Sequence, residues 1–371
     1  MIVRGARVFD ETEGFVERDV CIEGARFVDS AAGEVLDAGG CYAIPGLIDV
    51  HLHGCMGREF GASDAAGIDE MAEYQASWGV TAICPTTLTE SEEELTRACG
   101  EISRSGSEKG AAIVGVNLEG PFVSPHKLGA QNPDYVHSPD AALFRRLQRA
   151  SGGIVKLLAI APELPGAMEV IEAVSGEVVC SIAHTTADYA TATEAFGKGA
   201  RHVTHLYNAM PPFSHREPGV VGAAFDREDC RVELICDDVH VHPCVVRATF
   251  RMFGQKRIVM ISDSMMATGL KDGDYKLGGL PVRVRGNKAT LIEGGNIAGS
   301  VTNLMKCLQT AVNVMGIPLH KAVKCASVNP AKAIGVFGER GSLEVGKSAD
   351  LVLLDGQLDI AKIILRGNIL Y

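Results

Sequence analysis

Residues 47–54 read LIDVHLHG, an apolar run that closes on two histidines, His51 and His53, separated by one residue. Residues i and i+2 of a strand point to the same side, so an extended reading turns both imidazoles to one face. The design recurs down the chain. Apolar runs ending in polar or turn residues fall at VTAICPTT (80–87), AIVGVNLEG (112–120), IVKLLAIAPE (154–163), VVCSIAHTT (178–186), HVTHLYN (202–208), VELICDDVH (232–240) and RIVMISDS (257–264). Helical patterns such as AAGIDEMAEYQASW, EEELTRACGEISRS, DAALFRRLQRA and TATEAFGKG lie between them. Strands alternating with helices imply a parallel sheet, and eight such units fit a closed (β/α)8 TIM-type barrel better than an open doubly wound sheet.

Outside this region the character changes. MIVRGARVFD, DVCIEGARFVD and EVLDAGGCYAI at the start, and GSLEVGKSADLVLLDG and IAKIILRGNILY at the end, read as short strands punctuated by glycine. The two ends are expected to form one small β-sandwich domain, residues 1–45 plus 335–371, around a catalytic barrel at 46–334.

Composition narrows the function. With 35 Lys plus Arg against 46 Asp plus Glu, the net charge is −11. Nucleic-acid binders need clustered cations, so no nucleic-acid partner is expected. An anionic substrate would have to be held by a few placed cations rather than by the overall field. Hydrophobic residues make up 46%, enough for a large core. No run approaches the ~18 apolar residues of a membrane span. MIVRGARVFD lacks the apolar stretch of a signal peptide. The 11 cysteines form no CxxC pair, and several sit in apolar runs, which suits small buried hydrophobes in a reducing compartment. A cytoplasmic enzyme is expected.

Polar residues of interest cluster at the run ends: His51 and His53, Glu119, His184, His205, His240 and Asp263. In a barrel these ends meet at the face where active sites sit. Each residue alone has an ordinary explanation, a core histidine, a salt bridge or a cap. Four histidines and a glutamate at matching ends of different strands point instead to a divalent metal, and imidazole with carboxylate suits Zn2+ or Fe2+. Asp263 could take a proton from water and pass it to a leaving group, or serve as a further ligand or a cap. His240, in DDVHVHP, could polarise a bound carbonyl. His242 and His202 read as structural. Arg216, in SHREPG, is a candidate phosphate clamp or a surface arginine. The Gly-rich GGNIAGS (294–300), before an apparent helix from Val301, could present backbone N–H groups to a ligand.

The motifs PGLIDVHLHG, LEGPF, AHTTA, HLYNAMPPFSHREPG, DDVHVHP, ISDSM and IAGS, in this order, resemble those of the N-acetylglucosamine-6-phosphate deacetylases of the amidohydrolase superfamily, over essentially the full chain. The terminal GSLEVGKSADLVLLD resembles the superfamily more broadly. The resemblance implies hydrolysis of the acetamide of a sugar phosphate, with Glu119, His184 and His205 as metal ligands. It makes Asp263 the acid/base and His240 a substrate contact. Asn208, Ala209 and Arg216 would meet substrate and phosphate, and Ile297, Ala298 and Gly299 would run along the substrate. A homodimer is implied, with Arg216 acting across its interface. There are departures. Gln131, beside Ala130 in LGAQNPDY, stands where members often have a substrate-holding His, and Asp238 replaces a usual Gly. Because His51 and His53 are both present, one or two ions per subunit are possible, Glu119 bridging a pair. The galactosamine epimer and a cyclic-amide hydrolase are alternative readings; a non-catalytic assembly protein would be expected to have lost these ligands.

Overall fold

The apolar runs become a ring of parallel strands because each can bury both faces, one toward the barrel axis and one under a helix. In the computed structural model, which describes residues 1–370, they are β1 Leu47–Leu52, β2 Val80–Thr87, β3 Val116–Phe122, β4 Val155–Ile160, β5 Val179–Ile182, β6 His202–Val203, β7 Arg231–Ile235 and β8 Ile258–Ile261. Neighbours pair in parallel from β1 through β8. The last join, between β8 and β1, uses the Asp263 N–H donated to the His51 carbonyl at 2.9 Å. Ser262 Oγ also donates to the Asp49 carboxylate at 2.5 Å there. Inside the ring Ile48, Val50, Ala82, Cys84, Leu157, Ile235, Val259 and Ile261 form one apolar cluster with Ala331 and Ala333.

The connecting helices include α1 Ala65–Ser77, α2 Glu92–Arg104, α3 Ala141–Ala150, α4 Ala167–Val174, α5 Tyr189–Lys198, α6 Gly219–Asp226, α7 Pro243–Arg257 and α8 Leu304–Asn313. Their sequences explain them. In α2 the Ser91 hydroxyl caps the Glu94 N–H, three glutamates occupy the first turn, and Leu95, Cys99 and Ile102 form the buried stripe.

Both chain ends build a small β domain. A six-stranded sheet interleaves 368–369, 360–365 and 351–354 with 42–45, 7–10 and 14–17, so the C-terminal segment pairs directly with the N-terminal one. A four-stranded sheet of 26–28, 20–23, 2–4 and 35–37 accompanies it. Val3, Val8, Ile22 and Phe27 from the start share a core with Leu351, Leu353 and Ile364 from the end.

Several expectations change in detail. The sixth run is a strand only at 202–203, because His205, Tyr207 and Ala209 take left-handed backbone with φ of 26°, 78° and 51°. The seventh ends at Ile235, and Asp238 has φ 63°. The helix expected from Val301 starts at Leu304, capped by the Asn303 side chain, while Ser300 bridges to Ser264. An unanticipated three-stranded antiparallel sheet, 273–277, 280–285 and 288–291, follows β8. Gly278 and Gly279, with φ of 55° and 78°, make its two-residue turn, which needs positive φ at both positions. All 11 cysteines are free, and Cys244 is exposed rather than buried.

Candidate metal centre

At the C-terminal mouth of the barrel the chain turns sharply just past three strands. His184, His205 and Asp263 each lie two residues beyond β5, β6 and β8, with φ of 42°, 26° and 52°. Non-glycine residues in this region are strained, and such strain concentrates where side-chain aim matters more than backbone comfort. The turns swing all three side chains toward Glu119 of β3, His51 of β1 and His53 just beyond it.

The six side chains form a tight buried ring. Glu119 Oε1 is 2.8 Å from His205 Nε2, 3.1 Å from His184 Nε2 and 3.3 Å from His51 Nε2. Its other oxygen is 3.2 Å from His53 Nε2. Asp263 Oδ1 is 3.3 Å from His53 Nε2 and 3.6 Å from His51 Nε2. The ring resolves into two groups able to hold metal, His51–His53–Asp263 and Glu119–His184–His205, within each of which the ligand atoms lie within 4.8 Å of one another.

The donor set fits a divalent cation. Tetrahedral bonds of about 2.0–2.2 Å place ligand atoms roughly 3.3–3.6 Å apart, the scale of the spacings here. Buried His51 Nε2 has no hydrogen-bond partner, and the Nε2 atoms of His184 and His205 face each other at 3.2 Å. Charge balance agrees. Burial pushes the Glu119 carboxyl up, but the charges of His51 and His184 and the hydrogen bonds of His184 and His205 outweigh it, holding the group well below the usual carboxylate range. Burial opposes a charged His53, yet its bonds to Asp263 and Glu119 prevail and lift it to about 9. Asp263 is held below its ordinary value, the His53 hydrogen bond and the charges of His51 and His53 overcoming its burial. A bound cation would take the place of the imidazole protons that these shifts favour.

A second layer of contacts aims the ring. His51 Nδ1 meets Glu233 Oε2 at 2.9 Å, and His184 Nδ1 meets the Lys127 carbonyl at 2.9 Å. Gln131 Nε2 donates to Glu119 Oε2 at 2.7 Å, while its Oε1 accepts the Thr89 N–H at 2.7 Å. His240 Nδ1 lies 2.7 Å from Asp237, leaving Nε2 as its free ring nitrogen. Burial works against a charged His240, but Asp237 outweighs it and raises the ring above its ordinary value.

Above the ring opens a cavity of about 730 Å³. Ala130, Gln131, Asn208, Ala209 and His240 line it, as do Ile297 and Gly299. His51 lies beneath, fully buried. Two expected contacts fall elsewhere. Ala298 is fully buried and packs with Met265, Leu277 and Val282 under the extra sheet. Arg216 is exposed and outside the cavity of its own chain. Among the described residues, the lining contains one lysine, Lys127, and no arginine. His202 and His242 are structural, as expected: His202 is buried against Ser181, and His242 caps α7. Sequence reasoning missed Glu233, Lys127 and the wall built by Leu277, Leu280 and Leu291 of the extra sheet. For Glu233 there was a signal, a lone carboxylate inside the apolar run VELIC.

Residues 42–370 match the model of the amidohydrolase family, and the chain belongs to that family. Among curated proteins it is 37% identical to the N-acetylglucosamine-6-phosphate deacetylase of Bacillus subtilis (strain 168), over 88% of this chain and 84% of the relative. It is 34% identical to the protein of the same name from Bos taurus, over 100% and 90%. Among solved structures, a mutant N-acetyl-D-glucosamine-6-phosphate deacetylase from Mycobacterium smegmatis, in complex with N-acetyl-D-glucosamine-6-phosphate, superposes with a TM-score of 0.94. It shares 32% identity and the match covers 100% of this chain and 99% of that one.

Proposed function

We propose that this chain hydrolyses the acetamide of N-acetyl-D-glucosamine 6-phosphate, releasing acetate and D-glucosamine 6-phosphate. The observation that carries the proposal is the six-residue ring of histidine and carboxylate ligands at the floor of a cavity large enough for a sugar phosphate. Relatives bearing that activity in their names support it.

His51, His53 and Asp263 would hold one ion and Glu119, His184 and His205 another, with Zn2+ or Fe2+ favoured by the donors. When bound, such ions polarise a carbonyl and lower the pKa of water. The remaining work belongs to the protein. Asp263 accepts a proton from the attacking water as the new C–O bond forms at the acetyl carbon. His240, steadied by Asp237, turns Nε2 to the carbonyl oxygen. As the C–N bond breaks, Asp263 gives its proton to the departing nitrogen, which leaves as an amine. Gln131 braces Glu119 rather than facing only the sugar.

Asn208, Ala209, Ala130 and the backbone of Ile297 and Gly299 orient the sugar. Its phosphate is met by Arg216 of the partner subunit in a homodimer, a reading supported by the exposure of Arg216 and by its absence from the lining of its own chain's cavity. Division at 1–45 plus 335–371 and 46–334 is part of the proposal. So is a cytoplasmic location, which the free cysteines suit. In the described residues no helix is long and apolar enough to cross a membrane.

Metal analysis of the purified protein, with acetate release measured on both 6-phosphorylated N-acetylhexosamine epimers and their unphosphorylated forms, tests the proposal. Fastest release from the phosphorylated gluco epimer is expected. Release from none of the four would end it.

A further inference from the structure

We propose that Glu233 is a positioning residue of the metal centre, fixing the orientation and tautomer of His51. The inference rests on the metal reading of the ring and concerns a residue outside both ligand groups.

Glu233 lies in the middle of β7, with no exposed surface. Its Oε2 takes two contacts at once: His51 Nδ1 at 2.9 Å and the backbone N–H of His205 at 3.0 Å. One carboxylate oxygen therefore ties the ligand of β1 to the ligand beyond β6. At the first contact a carboxylate can only accept, so Nδ1 carries the proton. In the neutral ring that a metal ion requires, the lone pair of Nε2 is then directed at the ligand ring, where that atom has no hydrogen-bond partner. At the second contact Glu233 pins the N–H of a residue whose φ of 26° is strained.

The other ligands lack this support. The Nδ1 atoms of His53 and His205 are buried without a partner, and that of His184 meets a neutral carbonyl. His51 alone among the four has a carboxylate behind it. An acceptor carrying full negative charge raises the basicity of the imidazole it holds. Nothing else near Glu233 accounts for its burial. Its Oε1 is without a hydrogen-bond partner, and His202 Nδ1, 3.8 Å away, is engaged by Ser181 Oγ at 3.1 Å.

Glu233→Gln tests the assignment. Gln keeps the shape, and its one oxygen can still accept from both the His205 N–H and His51 Nδ1, but the negative charge behind His51 is lost. Chelator-stripped wild type, Glu233→Gln and His51→Asn are titrated with Zn2+ against a chromophoric chelator, with circular dichroism as the check on folding. The ion that His51→Asn loses should bind roughly ten- to a hundredfold more weakly in Glu233→Gln. Any ion that His51→Asn retains should bind as in wild type. Unchanged zinc affinity in Glu233→Gln would overturn the assignment, as would equal weakening of every ion. Wild type that binds no zinc would overturn the metal reading and this inference together. Should Glu233→Gln fail to fold, histidine 15N spectra of zinc-loaded wild type decide, His51→Asn supplying the resonance assignment. Ligation of His51 through Nε2 with a proton on Nδ1 is expected; ligation through Nδ1 would refute it.

Discussion

Replacing Asp263 by Asn is the most direct probe of the chemistry, because the backbone there makes the substitution nearly silent for folding. Asp263 sits at φ 52°, a region that Asn enters as readily as Asp. The side chains are nearly isosteric, and an Asn oxygen still faces His53 Nε2 where Oδ1 now lies at 3.3 Å. What disappears is a basic oxygen able to carry a proton from water to nitrogen. The residue is 8% exposed, so bulk water is a poor substitute. Losing a positioned acid/base costs roughly a hundred- to ten-thousandfold in rate, or about 2.7–5.5 kcal/mol of barrier. Acetate release by zinc-replete protein at saturating substrate should fall by that factor, kcat and kcat/KM together. Zinc content read alongside divides the two roles. Full zinc with lost turnover identifies the proton carrier; lost zinc identifies chiefly a ligand. Turnover within tenfold of wild type would refute the reasoning.

Four further outcomes are expected. Arg216→Ala should raise KM for the phosphorylated substrate at least tenfold and leave the unphosphorylated one unchanged, measured by acetate release; an unchanged KM would argue against the phosphate role. Gln131→Leu removes a bond to a charged carboxylate, worth about 1.5–3 kcal/mol, and strands the Thr89 N–H. Chemical denaturation of metal-stripped protein should show about 3 kcal/mol lost. Asp238→Gly relieves a positive φ of 63° and should raise the unfolding free energy by about 0.5–1 kcal/mol, read as an upward shift of the denaturation midpoint. Zinc affinity should rise with pH from 6 to 8, because in metal-free protein His53 holds its proton up to about 9 and binding must expel it; proton release on zinc addition, followed with an indicator dye, checks the sign.

The barrel was legible in the sequence because each strand is buried on both faces and so appears as a continuous apolar run. The candidate ligands stood out because charged or imidazole groups at the ends of such runs need a reason to be there, and the fold gathers them in one ring. Partnerships between strands left no local mark. Asp49 and Ser262, whose side chains help close the ring, are 213 residues apart. Glu233 looks like an isolated polar residue until β7 brings it beside His51. The extra sheet was not anticipated, although LPVRVR alternates and its Val282 and Val284 are buried; nothing in those residues said it would wall the cavity. Ala298 shows the opposite failure: a short Gly-rich segment read as lining offers Ile297 and Gly299 to the cavity and turns the residue between them into the core.

Arg216 is the sharper case, since nearness in sequence and nearness in space diverge. It lies 11 positions after His205 and so belongs, on paper, to the same strand end. Yet the loop carries it outward to solvent, and among the described residues Lys127 is the one Lys or Arg lining its own chain's cavity. A protein of net charge −11 that binds a phosphate must supply positive potential locally. If a second copy of the chain supplies it, dissociating the dimer should weaken substrate binding while leaving zinc in place. Activity at limiting protein concentration would then fall through KM, not kcat. A KM independent of protein concentration across the dissociation range would place the phosphate-binding cation within one chain, with Lys127 first in line.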